Sequence, residues 1–462
     1  MMTRTTFATP TTTPRTPPKV AAWPLVGSVP PFYWRKLDFL LQARATYGDI
    51  YTLDLAGSDV IVLGHPRHAQ HVLQDHASNY RTKGGATGFR ASSIPLGGDG
   101  VTTTPDPDAW RRQRRAVQPF FHKNHFDRLT SAMTAAIAES IAPWQAIAEA
   151  GTPLEMAEAV TQISMKAVIK MVFGVDVEPR TGGQLAQAVN RTLDYMWEGM
   201  LAHLIPTWWP SPGRRHFQHA LQSVDEMIHD LIEQALQPTA DPHNLMQMLW
   251  RKGQEEGVTE AQLRDEAVTM MFGASEALPA ALSWTFYLVT RYPQVQRQVQ
   301  AEVDLALDQN PPTLAHLPQL AYTRMVLQES FRLYAPIYWI QRMASEDDDI
   351  DGFAIPKGSI VVVLIHLIHH HPDIWQDPER FEPERFTPER TAPRHKLAWM
   401  PFGAGQRVCS AREHSLMLGQ LLLAQVCQCY HLEAVPGRTT GVKLSTSLEP
   451  KGGVWATLER RG

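Results

Sequence analysis

The stretch Phe402-Gly403-Ala404-Gly405-Gln406-Arg407-Val408-Cys409-Ser410-Ala411 places one cysteine in a glycine-rich loop, with an arginine two residues before it and an apolar helical pattern after it. A thiolate stays ionised more easily at a helix N-terminus or beside a cation. Gly403 and Gly405 have no side chain, so the backbone there can lie close to a flat ligand. Arg407 offers the forked donors that bind a carboxylate. A thiolate, room for a planar group and a carboxylate partner are the features of the proximal side of a haem.

The composition is that of a large folded protein. The chain has 462 residues, of which 44% are hydrophobic, enough to bury a sizeable core. Lys and Arg number 43 against 47 Asp and Glu, and the net charge of −4 does not point to nucleic acid or an anionic membrane as a partner. Three cysteines are too few for a disulfide framework and suit a reducing compartment. Cys427 and Cys429 follow an apolar run, so we interpret them as core thiols.

The N-terminal segment, Met1 to Pro18, is rich in threonine and proline. It contains no apolar run of the about 20 residues that a membrane span needs. We expect residues 1–20 to be a disordered lead and residues 21–462 to form one domain. The chain carries no flavin or iron–sulfur segment, so electrons for redox chemistry would come from a separate protein. These features predict a soluble, cytoplasmic protein without a membrane anchor, and we expect a monomer.

Hydrophobic periodicity and turn residues predict the order of the elements. The predicted helices are Phe39–Tyr47, His68–His76, Leu129–Phe173, two within residues 183–236, and one from a cap at Thr259 to about Tyr292. The predicted strands are Ile50–Leu55, Val60–Leu63 and Ile337–Arg342. Residues 82–108 form a long loop rich in Gly, Ser, Thr and Pro. We interpret it as part of a substrate-access wall, because long loops inside compact domains are usually functional.

The cysteine loop resembles the signature Phe-x-x-Gly-x-Arg-x-Cys-x-Gly of the cytochrome P450 family and departs from it only at Ala411. A buried cysteine in a tight turn is the alternative, and the complete pattern argues against it. The resemblance extends from Trp23 to the C-terminus, with the family's motifs in order. It implies the cytochrome P450 fold, mainly α-helical with a smaller β-rich region. It also implies haem b as the cofactor, with the iron bound by Cys409 and the loop residues Phe402, Gly403, Gly405 and Arg407 around it.

Other residues match positions that hold the haem propionates in this family. Trp110 and Arg114 fit a Trp-x-x-x-Arg pattern and are four residues apart, which puts them on one face of a helix. An arginine-rich helix can equally be a solvated face, and that is the alternative here. Arg342, at the end of a predicted strand, matches another propionate contact.

Glu329, Arg332 and Arg385 correspond to a buried ion network that supports the haem-binding core in this family. Glu329 and Arg332 are spaced i, i+3 on one predicted helix, and Arg385 follows in the segment Pro383-Glu384-Arg385-Phe386. A lone Glu-x-x-Arg is weak evidence, but buried charges persist only when they are paired. We therefore assign these three residues a structural role and not a catalytic one.

The helix after Thr259 resembles the one that crosses the distal haem face in this family. Gly273-Ala274-Ser275-Glu276-Ala277 aligns with Ala-Gly-x-(Glu/Asp)-Thr, whose acid and threonine supply protons for oxygen activation. Glu276 is kept, and the threonine is replaced by Ala277. A substrate hydroxyl, or Ser275 with an ordered water, could replace the missing group; otherwise the enzyme would not use dioxygen in the usual way. Pro279 should distort the turn before it, either admitting a water or only kinking the helix.

The predicted substrate pocket combines several parts of the chain. An apolar face rich in Met and Trp within residues 196–205 suits a hydrophobic ligand and is equally consistent with plain core. The residues predicted to line the pocket are Trp197, Phe272, Gly273, Ile337, Tyr338, Trp339 and Thr446. His366 and His369 to His371 look like metal ligands. A histidine is ordinary at this place in the family, so we assign them no metal.

The resemblance implies a haem–thiolate monooxygenase that oxidises an apolar small molecule, such as a lipid, terpenoid or other natural product. Dioxygen would be the oxidant, and ferredoxin-type partners the electron donors. Ala277 supports an alternative, a related enzyme that uses peroxide or catalyses a rearrangement or coupling. A haem-binding sensor without turnover is a third interpretation, and the large predicted pocket argues against it. Glu276, Ala277 and Ser275 are the candidate catalytic positions.

Overall fold

The computed structural model describes residues 14–55, 57–81, 96–104, 106–202, 213–256 and 259–461, and it describes only the backbone at 179, 196–202, 213–214 and 253–256. Most of these residues are helical. The α-helices are α1 (Val29–Tyr47), α2 (Pro66–Gln70), α3 (Pro107–Val117), α4 (Phe126–Ile141), α5 (Trp144–Glu149), α6 (Met156–Phe173), α7 (Pro179–Ala202), α8 (Gly213–Ala235), α9 (Leu245–Glu256), α10 (Glu260–Ser275), α11 (Ala277–Arg291), α12 (Pro293–Leu307), α13 (Ala321–Leu333), α14 (Ile365–His369), α15 (Pro388–Thr391) and α16 (Arg412–Cys429).

The strands form small sheets. They are β1 (Ile50–Leu55), β2 (Ser58–Leu63), β3 (Leu154–Glu155), β4 (Ile340–Met343), β5 (Asp348–Ile350), β6 (Phe353–Ile355), β7 (Ile360–Val363), β8 (Tyr430–Ala434), β9 (Gly441–Leu444), β10 (Leu448–Lys451) and β11 (Trp455–Arg460). The largest sheet has the order β1-β2-β7-β4, in which only β2 and β7 are parallel. The other sheets are β3-β11-β8 and the pairs β9-β10 and β5-β6. The predicted fold class, mainly α with a smaller β region, is confirmed.

The predicted strands agree with the structure to within a few residues. Ile50–Leu55 is β1, Val60–Leu63 lies within β2, and the third predicted strand begins at Ile340 instead of Ile337. The cap at Thr259 is also confirmed, because its hydroxyl accepts the Gln262 N–H while the Gln262 side chain accepts the Thr259 N–H.

Two predicted long helices are wrong in their continuity. The span Leu129–Phe173 is divided into α4, α5 and α6, with Pro143 at the first division. The span Thr259–Tyr292 is divided into α10 and α11 at Glu276, whose φ of −122° and ψ of −65° are not helical. Pro279 lacks an N–H, so the Ser275 carbonyl has no i+4 donor in the helix; the Asn190 side-chain amide lies 3.4 Å from it instead. The distortion predicted before Pro279 is therefore present.

Residues 14–20, the described part of the predicted lead, make defined contacts with the rest of the chain. The Val20 N–H donates to the Thr52 carbonyl in β1, and the Lys19 ammonium forms ion pairs with Asp54 and Asp59. Residues 1–13 lie outside the described residues. No helix among the described residues is long and apolar enough to cross a membrane.

The largest hydrophobic cluster joins buried residues of α4, α6, α10, α11, α13 and α16. Helix α6 is buried along most of its length, as expected for a helix at the centre of a bundle. The cysteine loop precedes α16, and the break at Glu276 lies between α10 and α11. This packing therefore places the two predicted functional segments on either side of one interior space.

Candidate active site

The cysteine loop has the backbone conformation that its glycines predict. Gly403 and Gly405 both have a φ of +72°, which favours glycine. A Cβ on Gly405 would lie 1.9 Å from the carbonyl oxygen of Leu73, so no side chain fits there. The Cys409 N–H donates to the Phe402 carbonyl at 3.0 Å and closes the loop. Ala411 has a φ of −89°, which any residue adopts, and so the departure from glycine at this position causes no backbone strain.

Cys409 is open to an internal cavity although it lies deep in the protein. Burial raises the pKa of the Cys409 thiol, whereas the Ala411 N–H and the Arg114 and Arg412 guanidiniums lower it. A bound metal ion overrides this balance, because it binds the deprotonated thiol. The other thiols, Cys427 and Cys429, do not line this cavity.

A cavity of about 360 Å³ lies between the cysteine loop and the broken helix, and a second cavity of about 220 Å³ adjoins it. The residues Thr269, Gly273, Leu278, Arg407 and Cys409 line both, so the two form one continuous space. A Cβ on Gly273 would meet no atom within 4 Å, which leaves the helix side open. The Cys409 sulfur thus faces a space bounded on the opposite side by α10 and α11.

Three arginines at this space have no carboxylate within ion-pair distance among the described residues. Arg342 is 8% exposed, and burial together with Arg407 lowers its pKa to about 10. Arg342 donates to the Gln341 carbonyl, and Arg407 donates to the Thr104 carbonyl at 3.4 Å. Arg114 donates to the Ser410 hydroxyl. Cations that are withdrawn from water without counter-ions indicate a binding site for an anionic group.

Trp110, which is predicted to bind a propionate together with Arg114, also contacts a third residue of the site. The Arg407 guanidinium lies over the indole ring at 4.8 Å from its centroid, a cation–π contact. Trp110 therefore orients Arg407 at the edge of the cavity. On its own helix, Trp110 lies one turn before Arg114. Both residues still line the smaller cavity.

These features fit a haem. The Cys409 sulfur faces a space bounded by Gly273, and cations without carboxylate partners line the same space. A haem needs a sulfur ligand for its iron and cationic partners for its two propionates. Cys409 would hold the iron, and Arg342, Arg407 and Arg114 are placed to bind the propionates. Phe402 and Gly403 line the larger cavity beside them.

Glu329, Arg332 and Arg385 meet in the core. The Glu329 carboxylate accepts from Arg332 at 2.7 and 2.9 Å and from Arg385 at 3.2 Å, and all three side chains are buried. Arg332 also donates to the His369 carbonyl at 2.7 Å. His369 Nε2 in turn accepts the Met400 N–H at 2.9 Å. The network is therefore connected to the chain just before the cysteine loop.

The connecting role of His369 is missed by sequence reasoning. His366, His369 and His370 are buried, and burial lowers the pKa of His366 and of His369 to about 3. The fourth, His371, lies 3.2 Å from an Asp49 oxygen. No group of potential metal ligands among the described residues includes any of them. As the first histidine of the run His369 to His371, His369 gives no signal in the sequence of a contact with Met400.

On the opposite side, Glu276 is buried and lines the larger cavity together with Ala277. The Thr446 hydroxyl donates to Glu276 Oε1, and the Ser445 hydroxyl lies 3.3 Å from the same oxygen. Burial raises the pKa of Glu276 to about 7, and the charge of Glu449 adds to the shift. The carboxyl group can therefore hold a proton near neutral pH.

Ser275 does not occupy the place of the missing threonine. Its hydroxyl donates to the Phe272 carbonyl in its own helix at 3.3 Å, and it does not line the cavity. Of the hydroxyl groups around Glu276, those that contact the carboxylate belong to the hairpin β9–β10. The segment Leu444 to Leu448 resembles a hairpin that lines the pocket in this family, but sequence reasoning assigns no role to Ser445 or Glu449. The run Ser445-Thr446-Ser447 beside Glu449 is a visible concentration of polar groups in that segment.

The predicted substrate pocket is largely assembled. Phe272, Gly273, Ile337, Trp339 and Thr446 line the larger cavity. Tyr338 does not: it is 2% exposed, points away from the cavity and donates to the Ser445 carbonyl at 3.1 Å. Successive residues of an extended segment face opposite sides, which is why Ile337 and Trp339 line the wall and Tyr338 does not. The Trp197 side chain lies outside the described residues, as do residues 82–95 and 105 of the predicted access loop.

Comparisons with known proteins agree with this geometry. The family model described as "Cytochrome P450" matches residues 17–455. A putative cytochrome P450 132 of Mycobacterium tuberculosis is 30% identical over 448 residues, covering 92% of each chain. A solved structure described as a cytochrome P450DA heme domain has a TM-score of 0.86 and 22% identity, and the likeness covers 97% of this chain and 98% of that one.

Two relatives from Streptomyces have named reactions. The cyclooctat-9-en-7-ol 5-monooxygenase of Streptomyces melanosporofaciens is 28% identical over 420 residues, covering 90% of this chain and 89% of that protein. The pentalenene oxygenase of Streptomyces avermitilis is 25% identical over 434 residues, covering 93% and 94%. The cysteine loop, the cation-rimmed cavity and a family match over nearly the whole length lead to one conclusion: the chain belongs to the cytochrome P450 family and is a haem-dependent monooxygenase.

Proposed function

We propose that this monooxygenase uses dioxygen to oxidise an apolar terpenoid that carries a hydroxyl group. The observation that carries the proposal is the larger cavity, whose wall of Phe272, Ile337, Trp339 and other apolar groups includes a single carboxyl group among its described residues, that of Glu276. An apolar wall with a few placed polar groups is the usual design of a site for a small hydrophobic ligand, and Glu276 is the acidic group among those of this cavity. Glu276 would orient that ligand through its polar end.

The relatives support the substrate class. Cyclooctat-9-en-7-ol and pentalenene appear in the names of two Streptomyces enzymes that are similar to this chain, and the first name denotes an alcohol. In this chain Glu276 Oε1 accepts from the hairpin hydroxyls. The Glu276 side chain also lines the cavity, so a hydroxyl of the ligand can approach its carboxyl group.

We assign haem b as the cofactor, with Cys409 as the iron ligand. When bound, it would supply the oxidising chemistry, and the thiolate favours O–O cleavage. The chain's own residues hold the propionates, exclude water from an apolar space and supply protons. Arg342, Arg407 and Arg114 have the first role, and Glu276 has the last.

The proton route that we propose runs from Glu276 through the hairpin β9–β10. Ser445 Oγ lies 3.3 Å from Glu276 Oε1 and 2.7 Å from Glu449 Oε1. The Ser445 hydroxyl can accept the proton of a protonated Glu276 while it donates its own proton to Glu449. The reverse transfer, from Glu449 through Ser445, returns a proton to Glu276. Glu449 is part-exposed and lies 3.3 Å from the Lys443 ammonium, which pairs with Asp194 at 2.9 Å. The route thus connects the cavity with solvent without the missing threonine.

The raised pKa of Glu276 predicts that the difference in folding stability between wild type and Glu276→Gln depends on pH. Below pH 4.5 the carboxyl group is protonated whether the protein is folded or unfolded, so it does not affect stability. Between 4.5 and about 7 only the unfolded protein releases the proton, and the wild type loses up to about 3 kcal/mol of stability relative to the variant. Melting temperatures from pH 4.5 to 8 should show the wild type falling relative to the variant.

Burial also raises the pKa of Glu266 to about 8. Because Glu266 titrates equally in wild type and in Glu276→Gln, it does not contribute to the difference in their stability. Glu433→Gln, at an exposed position on β8, is the matched control and should follow the wild type. A constant gap between wild type and Glu276→Gln across this range would contradict a protonated Glu276. In turnover, the variant should release more hydrogen peroxide per electron consumed, because the proton route starts at this side chain.

The substrate class is tested with pairs of terpenoids that differ only by one hydroxyl group. We expect the alcohol to bind about tenfold more tightly than the hydrocarbon, because it makes one more hydrogen bond to a charged or buried partner. The affinities are measured by the shift of the Soret band. Ala277→Thr restores a hydroxyl on the chain, so it should improve the coupling of the hydrocarbon more than that of the alcohol. Equal affinities, together with no change in coupling by Ala277→Thr, would overturn the role of a substrate hydroxyl.

Ala277 also favours a second candidate function, in which peroxide replaces dioxygen and electrons. Without the threonine hydroxyl, activation of dioxygen loses one proton donor. The hairpin route above supplies another, and so we rank the peroxide-using enzyme second. The two are separated by the oxidant that supports turnover.

The electron donors that we propose are a ferredoxin and its reductase. Arg112 and Arg115 are exposed on α3, the helix whose Arg114 contacts Ser410 beside Cys409. Exposed cations near the sulfur ligand suit an acidic one-electron partner. We further propose a monomer in the cytoplasm, in keeping with three cysteines that form no disulfide.

A further inference from the structure

Apart from Cys409, a group of potential metal ligands lies at the surface, away from the cavity. It includes a helical turn that is wider than an α-helical turn. Residues His71–Asp75 form a π-helical turn, closed by a hydrogen bond of 2.8 Å from the His76 N–H to the His71 carbonyl. In an α-helix, residues five apart point in different directions. The wider turn instead brings the imidazoles of His71 and His76 together, with their centroids 3.9 Å apart. Such turns occur frequently at functional sites.

A carboxylate from a distant strand completes the group. Asp348, the first residue of β5, has Oδ2 at 2.8 Å from His71 Nε2. One ligand atom from each of His71, His76 and Asp348 lies within 4.8 Å of the others. The buried Tyr80 donates its hydroxyl to the same Asp348 oxygen at 2.7 Å and so fixes the carboxylate. Hydrogen bonds of this kind orient the ligands in metal sites.

The surrounding charges favour a cation. Asp348 belongs to the acidic turn Glu346-Asp347-Asp348-Asp349, with Asp351 two residues beyond it. Asp351 forms an ion pair with Arg67 at 2.7 Å and contacts His68, but no Lys or Arg contacts Asp348 among the described residues. His76 is exposed, so an ion can enter from solvent.

We infer that His71, His76 and Asp348 form a binding site for a divalent cation of the Zn²⁺ class. Two imidazoles and a carboxylate suit Zn²⁺ and not Mg²⁺, which takes oxygen ligands. Zn²⁺ bonds of about 2.0–2.1 Å separate tetrahedral ligands by about 3.3 Å. Binding therefore displaces the proton between His71 and Asp348 and opens that contact by about half an ångström. Water takes the fourth position.

The site would tie two elements together beside the cysteine loop. The π-helical turn includes Leu73, whose carbonyl closely approaches Gly405 in that loop, and Asp348 belongs to the β5–β6 hairpin. A metal ion that bridges the turn and the hairpin stabilises the folded state by mass action. This effect is independent of the proposed substrate and oxidant.

The test is Zn²⁺ binding to the metal-stripped holoprotein by calorimetry, together with its melting temperature. We expect one Zn²⁺ per chain, a higher melting temperature with Zn²⁺, and no effect of Mg²⁺. His76→Ala, at an exposed position that should not disturb folding, should weaken binding by at least about tenfold and remove the thermal effect. Asp348→Asn should do the same.

The matched control is His243→Ala, which removes an exposed histidine elsewhere and should bind Zn²⁺ as the wild type does. Absence of saturable binding to the wild type, or equal affinity of wild type and His76→Ala, would overturn the site. So would an equal loss in the control, because binding would then be non-specific. None of these outcomes depends on turnover, so failure here leaves the monooxygenase proposal standing.

Discussion

Cys409→Ser should abolish the red-shifted carbon monoxide spectrum of the reduced protein and all monooxygenase turnover. A serine hydroxyl is not deprotonated as a thiol is and cannot supply the electron density that favours O–O cleavage. The change is nearly isosteric, and the loop is held by the Cys409 N–H and by the positive φ of Gly403 and Gly405, which the variant keeps. We therefore expect a folded protein with altered or lost haem.

The control for this change is Cys429→Ser. Cys429 is half-buried at the end of α16 and does not line either cavity. Its spectrum with carbon monoxide should be that of the wild type. A thiolate-type band that survives in Cys409→Ser would contradict the assignment of the iron ligand.

Glu329→Gln should have the largest effect on stability. The neutral amide leaves the guanidiniums of Arg332 and Arg385 without their shared carboxylate in the core. Removing one partner of a buried ion pair typically costs about 3–5 kcal/mol, because a charge is left uncompensated. We expect the free energy of unfolding, from urea denaturation of the holoprotein, to fall by that amount.

The same change should also weaken haem retention. Arg332 is linked through His369 to Met400, and the chain then enters the cysteine loop. The Glu433→Gln variant, with the same chemical change at an exposed site, should alter stability by less than about 0.5 kcal/mol. A loss below about 1 kcal/mol in Glu329→Gln would mean that the network does not support the core as we describe.

The parts of the site that are predictable from sequence are those set by local backbone requirements. The cysteine loop is one, because its glycines, arginine and cysteine lie within ten residues and each has a separate physical reason. The distortion before Pro279 is another, since a missing N–H affects the preceding turn wherever the helix lies. The cap at Thr259 follows from the same kind of local rule.

Contacts between distant segments were not predictable in this way. Glu276 and Ser445 are 169 residues apart, and nothing local to either indicates that they meet. The direction of Tyr338 depends on which face of the segment meets the cavity, and a shift of one residue reverses it. The pairing of His71 with His76 depends on a π-helical turn, for which the sequence shows no periodic signal. Trp110 stacks on Arg407 because the cysteine loop packs against α3.

The most direct test of the account is the source of the oxygen atom in the product. A terpenoid alcohol selected by its Soret shift is incubated with ¹⁸O₂, a ferredoxin, its reductase and a reductant, and in parallel with unlabelled dioxygen and labelled hydrogen peroxide. We predict one ¹⁸O atom per product molecule in the first reaction, with peroxide supporting less turnover. Product formed only with hydrogen peroxide would contradict a dioxygen-dependent monooxygenase with protons supplied through Glu276.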